Sequence, residues 1–402
     1  MLTVKTCAQA LEIIKHSFAP LKKAETVPLS EALGRTLLAD VEATEYVPDF
    51  DRSTVDGYAL SARNTFGASD SSPVIFTQSA QVKMGSAPDF SIVGDACAYI
   101  PTGGALPPGA DAVVMLEYTE NFGGDIGVNR PVAPGENVIF RGDDVFPGKT
   151  VLKAGRVIRP ADIGALAALG IVSVCVAKRP RVAIISTGDE LVPAEAAPQI
   201  GQVRDVNSQL LSAQISAFGG EALPCGIVPD GGESLESSIK SAIASCDCLI
   251  ISGGSSVGVM DVTSRIIGDL GELLFHGILM KPGKPTILGK ISGKPVFGLP
   301  GNPGAAYFVA EAFVKPLIKL LMGQSSSDPF IHAKLAEKVS ANHGRTVYMA
   351  VTLEKGESGA VARPVRAGSG LIATLAGHDG YIIIPAECEG IARGGEVLVY
   401  LN

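Results

Sequence analysis

The chain has 402 residues, 46% of them hydrophobic, which is too long for one ordinary core and sets an expectation of roughly two to four domains. Lys plus Arg number 33 against 41 Asp plus Glu, a formal charge of −8, and this excludes a large nucleic-acid footprint, which needs excess basic charge against phosphates. A small anionic ligand held by a local cluster of donors stays open, and 47 glycines with 26 prolines suit a glycine-loop α/β enzyme.

The N-terminal segment lacks an apolar h-region and a cleavage site, so it is not read as a signal peptide. Ala8, Leu11, Ile14 and Phe18 recur instead at helical spacing, and Val27 to Ala43 carries a second helical pattern. From Tyr46 to about Arg141, short β-rich runs (PVIFTQSAQV, CAYIP, DAVVMLEYTE) alternate with Gly/Pro turns, as in a small β-rich domain. Asp143 to Lys178 returns to helix signals, with Pro160 at a helix start and Gly170 as the C′ residue. The uncharged stretch Ile163 to Ala177, 15 residues broken by Gly170, is too short for a membrane span. Helical flanks around a β-rich insert predict one discontinuous domain carrying another.

Residues 179–325 alternate apolar β-rich runs (RVAIIS, CDCLIIS, KPVFGL) with helical stretches at Ser208–Phe218, Glu233–Ala244, Val262–Leu270 and Gly304–Met322. Such alternation predicts a mostly parallel, doubly wound sheet whose ligands sit at the carboxyl ends of its strands. The last residues, 326–402, hold strand-like HAKLAEKV, RTVYMAVTLE, YIIIPAE and EVLVYLN, a small all-β module. Seven scattered cysteines and five isolated histidines give neither a disulfide framework nor a zinc site, and the chain reads as cytoplasmic.

Three loops follow the α/β strands. STGDELV sets Asp189 and Glu190 past a strand end. SGGSSVGVMD offers the amides of Gly253, Gly254 and Gly258, the hydroxyls of Ser255 and Ser256, and the carboxylate of Asp261. GLPGNPG opens onto a helix N-terminus. Glycines let the backbone approach an anion, and carboxylates beside those amides call for a bridging cation, most economically Mg²⁺. Any one such loop is equally an ordinary βα turn; three on one sheet edge favour a ligand. MKPGKP joins Lys281 and Lys284 in a proline-stiffened turn suited to an oxyanion, while DRSTVDGYA and FRGDDV alone read as turns around Asp56 and Asp144.

Together, STVDGYA, PTGGALPPGADAVVM, NVIFRGDDV, RPRVAIISTGDEL, RDVNSQLL, SGGSSVGVMD, MKPGKP and GLPGNPG occur in the order found in the molybdopterin molybdenumtransferase family, which this sequence resembles over essentially its whole length. That family, which includes the catalytic domain of gephyrin, acts in molybdenum cofactor biosynthesis. The resemblance implies a discontinuous elongated domain (1–45 and 142–178), a β-rich insert (46–141), a molybdopterin-binding α/β domain (179–325) and a C-terminal β-barrel-like domain (326–402). It also implies an elongated homodimer whose cleft joins the α/β domain of one subunit to the insert of the other, so that Asp56 and Asp144 face Glu190, Asp230 and Asp261. The implied reaction inserts molybdate, or tungstate, into adenylylated molybdopterin with release of AMP. By the same resemblance Glu190 and Asp261 organise Mg²⁺ with Asp230 nearby. Thr102, Gly253, Gly254, Ser255 and Gly258 hold phosphate or pterin atoms. Lys281, Lys284 and the Pro300 to Pro303 turn line the anion side, and Arg345 and Ser369 contact molybdate. Neither membrane nor nucleic acid is an implied partner; transient contact with other cofactor-biosynthesis proteins is.

Ile139 and Gly277 depart from the pattern, Ile139 where some bacterial relatives carry arginine and Gly277 where some carry lysine, and GGSSVG and GNPGAA are small-residue variants of the family loops. Two other readings compete. A molybdopterin adenylyltransferase needs only the α/β region, and a non-catalytic molybdopterin-binding scaffold has no need to retain Asp56, Asp144, Glu190, Asp230 and Asp261.

Overall fold

The computed structural model describes residues 4–253, 257–341, 343–357, 359–366, 368, 370 and 372–402. Its chain forms two compact units. One comprises Met1–Leu38, Gly155–Ile158 and Cys175–Asn402, the other Ala39–Ala154 and Arg159–Val174.

The first unit is built on a six-stranded sheet. In spatial order its strands are Glu221–Val228, Arg181–Thr187, Cys248–Gly253, Lys294–Leu299, Ile287–Ile291 and Glu272–His276. The first four run parallel, Ile287–Ile291 runs antiparallel to them, and Glu272–His276 pairs antiparallel with Ile287–Ile291. The central strands are apolar without interruption because both faces are covered. Val182, Ile184, Cys248 and Ile250 enter the core on one face, and Ala183, Ile185, Leu249 and Ile251 the core on the other. Helices Gly232–Ser245 and Val257–Leu270 supply Leu235, Ile239, Ile266 and Ile267 to the second face. The first face receives Leu211 and Ile215 from helix Val206–Ala217, and Ala10 and Ile14 from the N-terminal helix Cys7–Ser17. That N-terminal helix begins at a capping box, with Gln9 N donating to Thr6 Oγ1 (3.2 Å) and Thr6 N to Gln9 Oε1 (3.0 Å). Its buried face runs through Cys7, Ala10 and Ile14, so Ala8 is exposed rather than inward.

Five strands of the C-terminal region close on themselves. Thr346–Gly356, Gly359–Pro364, Phe330–Leu335, Glu396–Leu401 and Gly380–Ile384 form a barrel sealed by the pairing of the first with the last. The short strand Met280–Lys281 adds in parallel to Thr346–Gly356. A helix beginning at Pro303, with a π-helical stretch at Ala310–Val314, connects sheet and barrel. Its Tyr307 hydroxyl lies 3.0 Å from both His378 Nε2 and Asn402 Oδ1, and the neighbouring Phe308 packs edge-on against Tyr307 and Tyr381 and tilted against Tyr348.

The second unit holds a mixed six-stranded sheet in the order Ala112–Met115, Gly57–Leu60, Ala96–Ile100, Val74–Gln81, Asp125–Val128 and Thr119–Asn121. Its core gathers Tyr58, Leu60, Phe76, Cys97, Val114 and Ile126. Helix Pro160–Ala168 starts on its proline, Arg159 N donates to Asp162 Oδ2 (2.9 Å), and Gly170 follows at φ +69°.

One expected element is absent. Val27 to Ala43 is not a helix but the strand Ala24–Pro28, a single 3₁₀ turn at Leu29–Glu31 and short bridges. Gly34 at φ +74° interrupts any helix, and the buried Val27, Ala32 and Leu37 fall at intervals of five, not of three and four.

Candidate active site

The parallel strands bring their carboxyl ends to one edge. Thr187 pairs with Val228 and with Gly253, and Ser252 with Leu299, so the loops carrying Glu190, Asp230, Gly253 and Pro300 to Pro303 all leave from that edge. The approach is close enough to demand glycine at Gly253, where a Cβ would stand 2.0 Å from Thr187 O. Thr187, itself buried, donates from Oγ1 to Asp230 Oδ1 (2.7 Å), and Asp230 N donates to Asp189 Oδ1 (3.2 Å). These bonds couple the Glu190 loop to the Asp230 loop. Glu190 folds back over Gly188, where a Cβ would lie 2.8 Å from its Oε2.

A cleft of about 280 Å³ opens at this edge, lined by Thr187, Glu190, Arg204, Asn207, Ser252, Gly253 and the turn Gly301–Pro303 with their neighbours. Asn207 ties its walls together, donating from Nδ2 to Ser252 Oγ and to Gly301 O, both at 2.9 Å. These two acceptors fix the amide orientation. The Asn207 Oδ1 and Ser186 Oγ atoms are buried without partners among the described residues.

Of the residues expected here, Glu190, Gly253 and Pro303 line the cleft, and Asp230 is bonded to its wall through Thr187. Pro300 is buried in the turn after the Lys294–Leu299 strand. Asp261 is exposed on helix Val257–Leu270, close enough to bear on His276, whose pKa is lowered by burial against an opposing pull from Asp261. Gly258 lies in the first turn of that helix. Gly254, Ser255 and Ser369 lie outside the described residues. Lys281 and Lys284 are exposed and are not among the residues lining the cleft. Lys281 belongs to the strand paired with Thr346–Gly356, and Thr346 N donates to Leu279 O (3.0 Å), so Lys281 and Arg345 flank one strand pair.

The second unit brings together two further candidates. Thr102 donates to Asp56 Oδ1 from both its backbone N (2.7 Å) and its Oγ1 (3.1 Å). Asp144 is exposed, its backbone held by bonds from Asp144 N to Val47 O (3.1 Å) and from Lys149 Nζ to Asp144 O (2.6 Å). Arg141, three residues earlier, is committed elsewhere: it pairs with Asp49 (3.0 Å) and stacks on Tyr46 at 4.3 Å. Sequence reasoning missed Arg204 and Asn207, although both stand in the RDVN segment.

Among the described residues, no group of three or more His, Cys, Asp or Glu side chains is arranged to hold a metal ion. Mg²⁺ is commonly held by one or two carboxylates plus waters and substrate phosphates rather than by a protein cage. The hard oxygen donors at this edge, Glu190, Asp230 and the Thr187 hydroxyl, fit a cation shared with an anionic ligand.

Comparison with known proteins accounts for both units. The MoeA N-terminal region (domain I and II) matches residues 5–170, a probable molybdopterin binding domain matches 183–320, and the MoeA C-terminal region (domain IV) matches 332–401. A molybdopterin molybdenumtransferase of Staphylococcus aureus is 34% identical over 384 residues, covering 94% of this chain and 91% of its own. A putative molybdopterin biosynthesis protein of Methanocaldococcus jannaschii is 35% identical over 394 residues, covering 94% and 92%. Two crystal structures of the molybdopterin biosynthesis MoeA protein of Pyrococcus horikoshii superpose with TM-scores of 0.82 and 0.90, at 38% and 32% identity and with at least 99% of each chain covered. The chain belongs to the molybdopterin molybdenumtransferase (MoeA) family of molybdenum cofactor biosynthesis.

Proposed function

We propose that this protein inserts molybdate, or the near-isosteric tungstate, into adenylylated molybdopterin and releases AMP. The observation that carries the reading is the extent of the match: regions 5–170 and 332–401 match the MoeA N-terminal and C-terminal regions on either side of the probable molybdopterin binding domain at 183–320. An adenylyltransferase would need only the last of these, and a scaffold would have no use for the full set of carboxylates.

In this reading the chain is organised as the four domains expected from the sequence, with bounds at 46, 142, 179 and 326, and works as a cytoplasmic homodimer. Asp56 and Asp144 of one subunit meet Glu190, Asp230 and Asp261 of the other. Glu190 and Asp261, with Asp230 nearby, would hold Mg²⁺, which when bound would supply positive charge at the pyrophosphate. Thr187 holds Asp230 in orientation by donating to it. Thr102 does the same for Asp56 through two bonds to one oxygen. Gly253 and Gly254, with Ser255 and Gly258, approach the phosphate and pterin atoms, and Pro300 and Pro303 stiffen the facing turn. Lys281, Lys284, Arg345 and Ser369 gather the oxyanion near the dithiolene, where proximity contributes most of the acceleration that charge stabilisation at the pyrophosphate does not.

The test is product formation. Incubated with adenylylated molybdopterin, Mg²⁺ and molybdate, the protein is expected to yield a cofactor that reconstitutes a molybdenum-requiring apoenzyme. Reconstitution no better than in a protein-free control would overturn the reading.

A further inference from the structure

Arg204 is the one basic side chain among the described residues lining the cleft that also holds Glu190. Its backbone is fixed on both sides. Val192 pairs with Arg204 in the parallel strands Leu191–Val192 and Val203–Arg204, and Asp205 N donates to Val192 O (2.8 Å). The next residue, Asp205, caps helix Val206–Ala217 by accepting from Ser208 N (3.0 Å). The side chain is anchored as well, because Arg204 Nε donates to Ala196 O (3.0 Å). Among the described residues its two Nη groups have no partner, and no ion pair joins it to Glu190 although both line the same walls. A guanidinium held at Nε and open at both Nη atoms is a pre-formed fork for phosphate oxygens. The other cations expected at the site, Lys281 and Arg345, flank the barrel strand pair instead.

Resting on the transferase reading above, we propose that Arg204 binds the pyrophosphate of adenylylated molybdopterin and sets the affinity for that substrate, whereas the oxyanion is gathered by Lys281, Lys284 and Arg345. The two anions of the reaction are thereby separated onto two cationic places. Arg204 is a binding residue in this scheme and takes no part in proton transfer.

The test compares wild type with R204Q and R204K, measuring kcat, KM for each substrate, and the equilibrium Kd for adenylylated molybdopterin. Loss of a charged hydrogen-bonding pair predicts that R204Q raises KM and Kd for the pterin nucleotide roughly tenfold to a hundredfold. The KM for molybdate and kcat stay within about twofold, and R204K, which keeps the charge but loses the fork, lies between. Arg204 is exposed, so melting temperatures are expected to coincide across the three proteins. Unchanged KM and Kd in R204Q, or an effect confined to molybdate, would overturn the proposal. If wild type binds the nucleotide without turning it over, the transferase reading fails while the Kd comparison still decides the role of Arg204. If wild type does not bind it, both fail.

Discussion

At the scale of single residues, the candidate carboxylates are presented by glycines that chain geometry requires. Gly57 follows Asp56, and a Cβ there would stand 1.9 Å from Val114 O. Gly57→Ala is therefore expected to destabilise the fold by about 1–3 kcal/mol, as overpacking does; a denaturation midpoint matching wild type would contradict this. Glu190→Gln keeps the shape of an exposed side chain but removes its charge, so turnover is expected to fall by two orders of magnitude or more while the melting temperature holds; full activity in Mg²⁺-replete buffer would remove Glu190 from the mechanism. Glu190 stood out in the sequence because it lies in a strand-end loop, whereas Asp56 alone read as a turn and Asp230 entered only through the family resemblance. The bond from Thr102 to Asp56 spans 46 positions and leaves no local mark. Arg204 escaped notice for another reason. MKPGKP concentrates two lysines in one stiff turn, whereas a lone arginine before an N-cap looks like any solvated charge.

Elements were legible where burial was one-dimensional. Arg181–Thr187, Cys248–Gly253 and Lys294–Leu299 are buried on both faces and read as unbroken apolar runs. Glu221–Val228 lies at the sheet edge, carries Pro224 and Gly226, and is largely exposed, so it gave no such run. Val27 to Ala43 misled because apolar residues packed from short bridges mimic helical spacing over a few positions. The last turns of the connecting helix carry a charge device of their own. Lys315 lies 3.1 Å from both Glu311 and Asp328, and Lys319 lies 2.6 Å from Asp328. Burial raises the Asp328 pKa, but the hydrogen bond from Lys319 and the charges of Lys315 and Lys319 outweigh it, leaving it below the ordinary 3.8. A carboxylate lowered in the folded state stabilises fully above its unfolded pKa and loses that contribution as pH falls through the folded value. Unfolding midpoints of wild type and Lys319→Gln are expected to differ at neutral pH and to converge below about pH 3.8; a constant gap down to pH 2 would contradict the assignment.

At the scale of the whole molecule, the proposed homodimer would draw its carboxylates from both subunits, Asp56 and Asp144 from one and Glu190, Asp230 and Asp261 from the other. A shared site of this kind makes a specific prediction for mixtures. Asp56→Ala and Glu190→Gln should each be inactive alone, and mixing them under exchange conditions should restore about a quarter of wild-type activity, because a mixed twofold dimer retains one intact site. Absence of recovery after exchange would place both residues in one subunit's site or outside it. No helix among the described residues is long and apolar enough to cross a membrane, in line with the short Ile163 to Ala177 run.

The most direct measurement is a single turnover with adenylylated molybdopterin, Mg²⁺ and molybdate, following AMP and pterin-bound molybdenum in the same samples. The two are expected to appear together in equal amounts, and both to stop when the cation is chelated. Tight pterin binding with no AMP released, or AMP released with no molybdenum taken up, would contradict it.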